Sequence, residues 1–413
     1  MQDVYIVGVG MTPFGRHLDR TEKQLTAQAV EDALRDAACE RKWLGAAFYG
    51  NCGQGYMQGQ HMIRGQVALL PLGLQGIPVT NVENACATAS TAFHMALAYV
   101  RSGSADIALA VGSEKMYSTD RAKMFGVFDS AWDLDLAEQT RNGFIAMGEG
   151  IEPPAGSTSP KPYSPFMDIY AGFARRYMKR FGITQRQLAL IASKNHAHSV
   201  HNPRSQFRAA MSTDEVLAAA PITYPLTLPM CSPISDGSAA AIVCTGEALS
   251  RYGFDRKRAV RVLASVMRSA SARDADDLEH HLTRLAAKTA YEQASLGPQD
   301  IHVAEVHDAT SMGELMQTEM LGFCGFGEGG EFAESGATSL GGRIPVNTSG
   351  GLESKGHPIG ATGLGQIFEL VGQLRGECGA RQVAGARVAM QENGGGIWGI
   401  EESAAHIGIY AAA

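Results

Sequence analysis

Short apolar runs alternate with longer amphipathic stretches along the first third of the chain. Apolar residues recur at helical spacing in TEKQLTAQAVEDALRDAAC (21–39) and from Cys86 to Gly103, which predicts two helices, the first capped by Thr21. The intervening apolar runs end in turn residues and predict buried strands. These runs are VYIVGVGMTPFG (4–15), GAAFYGNCGQG (45–55), PVTNVENA (78–85) and DIALAVGSE (106–114). The alternation is typical of a largely parallel sheet covered by helices.

The second half of the chain repeats this alternation. AVRVLASVMRSA (259–270) is similar to the first strand, and residues 278–297 are similar to the helix that follows it. EVHDAT (305–310) is again a strand end that leads into a loop. Internal similarity at about half the chain length indicates two related α/β units packed together. In this comparison Cys86 and His357 hold equivalent places, each in a strand-to-helix loop of its own half.

A segment that runs from about residue 115 to residue 237 interrupts the repeat. It contains EPPAGSTSPKPYSP (152–165), a Pro/Ser-rich loop, and then a helix pattern that carries a cluster of basic residues. The cluster consists of Arg175, Arg176, Lys179 and Arg180. The simplest interpretation is an exposed helix face, and the alternative is a lid that helps to hold phosphates.

Composition and charge narrow the class of protein. The chain has 413 residues, 45% of them hydrophobic, and a formal net charge of −7, which argues against a general nucleic-acid binder. The seven cysteines form no CxxC pair, so neither a disulfide framework nor a zinc site is indicated. The sequence shows no signal-peptide pattern and no apolar run of about 18 residues, so we expect a cytoplasmic protein without a membrane span.

Cys86 can be explained as a small buried hydrophobe or as a nucleophile. The position favours the nucleophile, because the unpaired N–H groups and the positive dipole end at the start of a helix stabilise a thiolate. His357 lies in a loop with six glycines between residues 350 and 365, and imidazole is the natural base to deprotonate a thiol. His307 and the glycines of QENGGG (391–396) stand at strand ends, where ligands bind and backbone N–H groups can hold an oxyanion.

Four stretches, in this order along the chain, and the final glycine-rich strand end after them resemble motifs of the thiolase superfamily, in particular of the sterol-carrier-protein-x type. The four stretches are NACATAS, MCSPISDGSAA, EVHDAT and GGRIPVNTSGGLESKGHPIGATG. The resemblance runs essentially end to end and implies the thiolase fold, an α/β fold with two similar βαβαβαββ halves in an α-β-α-β-α layered sandwich and an inserted loop domain. We therefore expect residues 1–114 plus 236–256 to form the N-terminal half, 115–235 the loop domain and 257–413 the C-terminal half.

The resemblance also implies a role for each site residue. Cys86 would be the nucleophile that carries the acyl group, and His357 would be its base and part of an oxyanion site. His307 would complete that site, and the backbone N–H groups of Cys86 and Gly394 would form a second oxyanion hole. No metal and no permanently bound cofactor are expected, because coenzyme A is a substrate. A homodimer or a dimer of dimers is expected.

Two departures from the family pattern concern the second acid/base. Many thiolases use a cysteine in a CxG motif, where this chain reads ENG with Glu392, and the cysteine of an HDCF motif is replaced by Ala309. Cys378 resembles the CxG cysteine but precedes the last strand, so the role is not transferred to it. Glu392 is a possible acid/base with a pKa raised by an apolar site. A substrate whose carbanion stabilises itself, or a change to another carbon–carbon cleavage, would also explain the departures.

The expected function is therefore coenzyme A-dependent cleavage of a 3-oxoacyl-CoA, or the reverse Claisen condensation, by an acyltransferase of the acetyl-CoA acetyltransferase type. Two alternatives remain: a thiolase-like retro-aldol lyase that acts on an acyl-CoA side chain, and a non-catalytic acyl-CoA-binding subunit of a complex. Some bacterial relatives work only with a small zinc-ribbon/OB-fold subunit. Such a partner is possible here because the usual one-chain site looks incomplete.

Overall fold

The strands and helices that the sequence predicts are present in that order, but the large sheet is mixed rather than largely parallel, because it also contains antiparallel strand pairs. The structure is a computed structural model that describes residues 2–413. The strands are β1 (Val4–Met11), β2 (Ala46–Gly50), β3 (Val79–Val82), β4 (Ile107–Lys115), β5 (Pro221–Thr223), β6 (Leu226–Thr227), β7 (Asp236–Thr245), β8 (Val260–Ser269), β9 (Val303–Glu305), β10 (Val388–Gly395) and β11 (Ala404–Ala412).

The α-helices are α1 (Glu22–Ala37), α2 (Gln54–Gln58), α3 (Arg64–Leu69), α4 (Thr88–Arg101), α5 (Arg121–Gly126), α6 (Ala137–Met147), α7 (Phe166–Phe181), α8 (Gln185–Ser199), α9 (Thr213–Ala218), α10 (Gly246–Arg251), α11 (Leu282–Ala294), α12 (Ser311–Met320), α13 (Gly329–Glu334), α14 (Gly351–Lys355) and α15 (Thr362–Arg375). Helix α1 illustrates how the sequence sets a boundary: the Thr21 hydroxyl accepts the Gln24 N–H, and the Gln24 side chain accepts the Thr21 N–H. No helix within residues 2–413 is long and apolar enough to cross a membrane.

The two halves of the chain build the same strand arrangement. In the N-terminal half, β2 is parallel to β3 and β4, and β7 is antiparallel to β4 and β1. In the C-terminal half, β9 is parallel to β10, and β11 is antiparallel to β10 and β8. Val346 supplies the place that corresponds to β3, through a parallel bridge to Ala304 of β9. The thiolase fold expected from the sequence is confirmed.

A strand pairing between the two halves was not expected, because the repeat in the sequence indicates two separate units. Strand β1 also pairs with β8, through Tyr5 with Arg261 and Ile6 with Val260. The order is therefore continuous over nine strands, β3-β2-β4-β7-β1-β8-β11-β10-β9. This short contact joins the sheets of the two halves at their antiparallel edges.

Helices α4 and α15 form the central layer between the two halves. Phe93 and Leu97 of α4 and Ile367 and Leu370 of α15 are fully buried in one apolar core with side chains from both halves of the sheet. Helix α1 covers the outer face of the N-terminal half, and α11 covers the outer face of the C-terminal half. Because α4 and α15 follow the loops of Cys86 and His357, the central layer brings both loops to one place.

The inserted segment leaves the sheet after Lys115 and returns at Asp236, and these two residues are partners in the β4–β7 register. Helices α7 and α8 of this segment share an apolar core with Met312 and Leu315 of α12. The segment thereby packs on the C-terminal half, although it departs from the N-terminal half. It forms one wall of the cavity described below.

Two buried carboxyl groups, Glu22 and Glu114, lie close to the contact between the two halves. Glu114 accepts the N–H of Cys52 at 3.0 Å and that of Gly360 at 3.2 Å, so it links the two halves. Glu22 Oε2 has no hydrogen-bond partner among the described residues. Burial, with a contribution from Glu114, raises the pKa of Glu22 to about 8, and burial raises the pKa of Glu114 to about 7.

These raised pKa values predict that stability falls as the pH rises. The folded protein keeps these protons where the unfolded chain has lost them, so the stabilisation is complete below about pH 4.5 and is lost as the pH approaches about 8. We expect the free energy of unfolding to fall by a few kcal/mol between about pH 5 and about pH 8.5, and Glu22→Gln to reduce that fall. Denaturant unfolding at several pH values measures both, with exposed Glu152→Gln as the matched control. An equal pH slope in Glu22→Gln and the wild type would contradict the assignment.

Candidate active site

Cys86 lies in the turn between β3 and α4, as the sequence predicts. It is the middle residue of a single 3-10 turn, Ala85–Ala87, and α4 begins at Thr88. Ala85 has a φ of 46°, which non-glycine residues rarely adopt, and its N–H is held by the Glu83 carboxylate at 2.5 Å. Backbone strain of this kind is concentrated at functional sites.

His357 lies between α14 and α15, in the glycine-rich loop of the C-terminal half. Its Nδ1 is 2.7 Å from the Thr362 hydroxyl oxygen. The Thr362 hydroxyl donates its single hydrogen to the carbonyl oxygen of Pro358 at 3.2 Å, so it accepts a hydrogen bond from Nδ1–H of His357. This network assigns the proton to Nδ1 and leaves Nε2 of His357 as an acceptor.

His307 has the opposite arrangement. The Asn393 side-chain amide donates to Nδ1 of His307 at 3.1 Å, and the Asn393 oxygen accepts the Ser90 hydroxyl at 2.7 Å. Since Nδ1 accepts a hydrogen bond, the proton of neutral His307 is on Nε2. Asn393 and Thr362 thus give the two histidines complementary tautomers, one with a free donor and one with a free acceptor.

The three predicted side chains meet in one cluster. The Cys86 sulfur and a ring nitrogen of each of His307 and His357 lie within 4.8 Å of one another, and the two rings are edge to face with centroids 5.1 Å apart. All three line a cavity of about 1490 Å³, which is larger than most small-molecule pockets. A nucleophile, a proton acceptor and a hydrogen-bond donor therefore share one ligand-sized space.

The same cluster has the donor types that zinc prefers, thiolate and imidazole. It is the one group of three or more Cys, His, Asp or Glu side chains within residues 2–413 whose ligand atoms are close enough to share an ion. The absence of a metal, expected from the sequence, stays a prediction.

The protonation state of Cys86 differs from the sequence-based expectation. Burial, together with the negative charges of Glu83 and Glu114, raises the pKa of the Cys86 thiol to about 12. The N–H groups of Cys86 and Gly396 oppose this shift without overcoming it. The stabilisation of a thiolate by the start of α4, expected from the sequence, is outweighed by desolvation. At neutral pH the group is a thiol.

Both histidines are held neutral. Burial lowers the pKa of His307 to about 4, and burial with the proximity of His307 lowers the pKa of His357 well below its usual value. A neutral His357 has a free lone pair at every pH near 7, which suits an acceptor for the thiol proton.

The predicted contact of the Gly394 N–H with an oxyanion stays a prediction, and the structure adds a second glycine amide near Cys86. The N–H that faces the Cys86 sulfur belongs to Gly396, whereas Gly394 is inside β10 and pairs with Ala405. Residues two apart in a strand are separated by about 7 Å, too far for both amides to serve one oxygen. Gly395 lies between them, where a Cβ would stand 2.4 Å from Asn84 O, so the strand can approach the Cys86 turn only with glycine there.

Glu392, predicted as a possible acid/base, lies behind the cluster. Its Oε2 accepts the N–H of His307 at 2.8 Å, and its Oε1 is buried with no partner among the described residues. Burial raises the pKa of Glu392 well above its usual value, as expected, but the residue does not line the cavity. Ala309 does line it and carries no ionisable group. Glu392 therefore supports the His307 backbone and does not face a ligand.

The basic cluster of the inserted segment is not a phosphate lid. Arg176 and Arg180 pair with Asp276 at 2.5 and 2.6 Å, and Lys179 donates to the carbonyl oxygen of Glu149. None of its four residues lines the cavity. The cluster instead attaches α7 to the loop that precedes α11.

Sequence reasoning missed Asn393, Thr362 and Gly396, which set the tautomers and the amide contact. Asn393 stands inside the quoted ENG motif and Thr362 inside GHPIGATG, so their proximity to the histidines was available as a signal. Their hydrogen-bond roles could not be predicted from the sequence, because these roles depend on the geometry between the two halves. His196, in the last turn of α8, also lines the cavity.

Family comparisons cover nearly the whole chain. Residues 4–217 match the description "Thiolase, N-terminal domain", and residues 264–407 match "Thiolase C-terminal domain-like". The acetyl-CoA acetyltransferase of Methanothermobacter thermautotrophicus is 37% identical over 408 residues, 98% of this chain and 99% of that protein. Human sterol carrier protein 2 is 37% identical over 402 residues, 95% of this chain and 70% of that protein.

Two solved structures share the fold. A structure named Ltp2-ChsH2(DUF35) aldolase is 21% identical with a TM-score of 0.76, covering 99% of this chain and 98% of that one. Human mitochondrial 3-ketoacyl-CoA thiolase in complex with CoA is 15% identical with a TM-score of 0.66, covering 100% and 98%.

Fold, site and family matches together define a thiolase, and the chain belongs to the thiolase family. It resembles the sterol-carrier-protein-x type, as the sequence motifs indicate. The protein is an acyltransferase with thiolase function.

Proposed function

We propose that this thiolase cleaves a 3-oxoacyl-CoA through an acyl thioester on Cys86. The observation that carries the proposal is that the Cys86 sulfur, a ring nitrogen of His357 and a ring nitrogen of His307 lie within 4.8 Å of one another. Nucleophile and base are thus in reach of each other, as covalent acyl transfer requires.

In the first half-reaction His357 takes the Cys86 proton while the sulfur attacks the 3-carbonyl carbon. The N–H groups of Cys86 and Gly396 stabilise the oxyanion formed on that carbon. The C2–C3 bond then breaks and its electron pair moves to the shorter acyl-CoA, whose thioester oxygen accepts hydrogen bonds from His307 and the protonated His357. C2 takes up a proton from a second acid, and the longer acyl group remains on Cys86.

In the second half-reaction free coenzyme A loses its thiol proton to a base and its sulfur attacks the acyl thioester. The Cys86 sulfur leaves and recovers its proton from His357. The high pKa of Cys86 makes the histidine necessary in both directions: it removes the proton for attack and returns it on release.

The cavity offers two chemically different regions for the substrate. Its basic side chains are Arg16, Arg121 and Lys161, and none of these forms an ion pair with the part of the chain described here, so they suit the phosphates of coenzyme A. Trp132 stacks on Phe166 with centroids 5.5 Å apart, and Phe128 packs edge to face on Phe166 at 6.1 Å. This aromatic wall favours a bulky apolar acyl group over acetyl.

The proposal also includes a small accessory subunit, a homodimeric or higher assembly and a cytoplasmic location. One fold neighbour is named as an Ltp2-ChsH2(DUF35) aldolase, a name with two components, and this supports a test for a second subunit here. The test compares the activity of the purified protein alone with its activity in the presence of the product of the adjacent gene.

A panel of 3-oxoacyl-CoA substrates tests the function itself. Linear, branched, aromatic and steroid acyl chains are assayed for cleavage with and without free coenzyme A. We expect cleavage that depends on coenzyme A and is fastest for bulky acyl groups. Release of an aldehyde or ketone without coenzyme A would indicate a lyase instead, and tight binding without turnover would indicate a binding subunit.

A further inference from the structure

The reaction needs a second acid/base, and the structure excludes the residues from which family members draw it. The CxG position holds Glu392, which lies behind His307 and outside the cavity, and the HDCF position holds Ala309. A group that faces the cavity must therefore come from elsewhere in the chain. The candidates are the ionisable side chains that line the cavity close to the cluster.

Three of these candidates are unsuitable. Glu353 has both oxygens occupied, by the Ser311 hydroxyl at 2.6 Å and the Asn195 amide at 3.0 Å. Burial raises the pKa of Cys231 far above its usual value, and its thiol faces the carbonyl oxygen of Thr227. Burial and the nearby charges of Glu402 and Cys86 raise the pKa of Tyr170 well above its usual value, so its phenol cannot act as a base near pH 7.

Glu402 is a carboxyl group that lines the same cavity as Cys86, His307 and His357. It precedes β11, and Ser403 beside it donates to the carbonyl oxygen of Gly395, which fixes this segment against the strand end that carries Gly396. The carboxylate rests on Gly394, where a Cβ would stand 2.9 Å from Glu402 Cγ and 3.2 Å from its Oε1. Glycine is suited to position 394 because a larger residue there would collide with the Glu402 side chain.

The surroundings of Glu402 suit a proton exchanger. Its side chain is 13% exposed, and its oxygens have weak contacts, with the Gln317 amide at 3.3 Å and with His281 Nε2 at 3.7 Å. No strong ion pair fixes its charge. Burial, with repulsion from Glu401, raises the pKa of Glu402 to about 7, so both protonation states are populated at neutral pH.

We propose that Glu402 is the catalytic acid/base that exchanges the proton at C2 of the departing acyl-CoA. In cleavage, protonated Glu402 gives its proton to C2 as the C2–C3 bond breaks, and its carboxylate then regains a proton from solvent in the cavity. In condensation the same carboxylate removes a C2 proton. The assignment rests on the proposed acyl-Cys86 reaction and adds the group that this reaction lacks.

Two exchange reactions separate the roles. Exchange of labelled coenzyme A into acyl-CoA requires acyl transfer through Cys86, whereas exchange of the C2 protons of acetyl-CoA in D₂O requires the acid/base. In Glu402→Gln we expect acyl exchange within about threefold of wild type and a loss of C2 exchange on the order of 10²-fold or more. The pH profile of C2 exchange should show a group near pH 7 in the wild type and lose it in the variant.

Glu392→Gln is the matched comparison, since it changes a buried glutamate of the same region. We expect it to alter both exchanges alike, through His307, whereas Glu402→Gln affects C2 exchange selectively. Should Glu402→Gln fail to fold, Glu402→Asp carries the test, because it keeps the charge but withdraws the carboxylate by one methylene group and should lower C2 exchange alone.

The outcomes distinguish this assignment from the proposed function. Three results would overturn the role of Glu402. They are unchanged C2 exchange in Glu402→Gln or Glu402→Asp, an equal fall in both exchanges, and a wild type that acylates Cys86 but exchanges no C2 proton. A wild type that forms no acyl thioester with any substrate of the panel would overturn the proposed function itself.

Discussion

Cys86→Ala is expected to abolish thiolysis, with a fall in kcat on the order of 10⁴-fold or more. The effect is large because removal of the sulfur leaves His357 without a nucleophile to activate and leaves the acyl group without a carrier. The alanine should be tolerated structurally, because the Cys86 thiol faces the cavity and the turn is held by backbone contacts from Asn84 and Ala87. Steady-state kinetics with the best substrate of the panel measure the loss.

Cys324→Ala is the control for this experiment, since Cys324 is a partly exposed cysteine outside the active-site cavity. It should retain wild-type turnover. Substrate binding by Cys86→Ala, measured without turnover, should stay within a few fold of the wild type. Retention of full thiolysis by Cys86→Ala would remove the nucleophile from the mechanism.

His357→Ala is expected to lower kcat on the order of 10³- to 10⁴-fold at neutral pH. The reason is the thiol pKa of about 12, which leaves almost no thiolate when no base is in contact with it. Residual activity should then depend on free hydroxide and rise about tenfold for each pH unit. In the wild type, deprotonation of the Cys86 thiol should add almost no pH dependence to the activity, because His357 is neutral throughout.

Exposed His280→Ala, outside the cavity, provides the matched histidine control and should behave like the wild type. A His357→Ala variant whose activity has the same pH profile as the wild type would contradict the role of His357 as base. Equal acylation rates in His357→Ala and wild type, measured in a single turnover, would do the same.

The alternation of elements and the positions of Cys86 and His357 were predictable from the sequence. Apolar periodicity is a local property, so it indicated the strands and the helices α1 and α4 without knowledge of the fold. The repeat in the second half then gave equivalent loops, and α4 and α15 bring these loops together in the central layer. His307 could also be placed at a strand end, because the apolar run before it predicts the strand observed as β9.

Protonation states and the choice among glycines and glutamates were not predictable. They depend on burial and on contacts between segments far apart in sequence: Glu83 and Glu114 around Cys86, and Asn393 beside His307. Sequence position suggested Gly394 and Glu392, whereas the three-dimensional register presents Gly396 and Glu402 to the cavity. A shift of two residues along a strand moves an amide by about 7 Å, which no motif resolves.

The most direct test of the central claim is the mass of the Cys86 peptide after one half-reaction. Wild-type protein is mixed with a 3-oxoacyl-CoA in the absence of free coenzyme A, quenched in acid and digested with trypsin, which releases residues 65–101 with Cys86 as their single cysteine. We predict that this peptide gains the mass of the acyl group and that added coenzyme A removes it. Cleavage of the substrate with the Cys86 peptide unmodified at every time point would contradict the account.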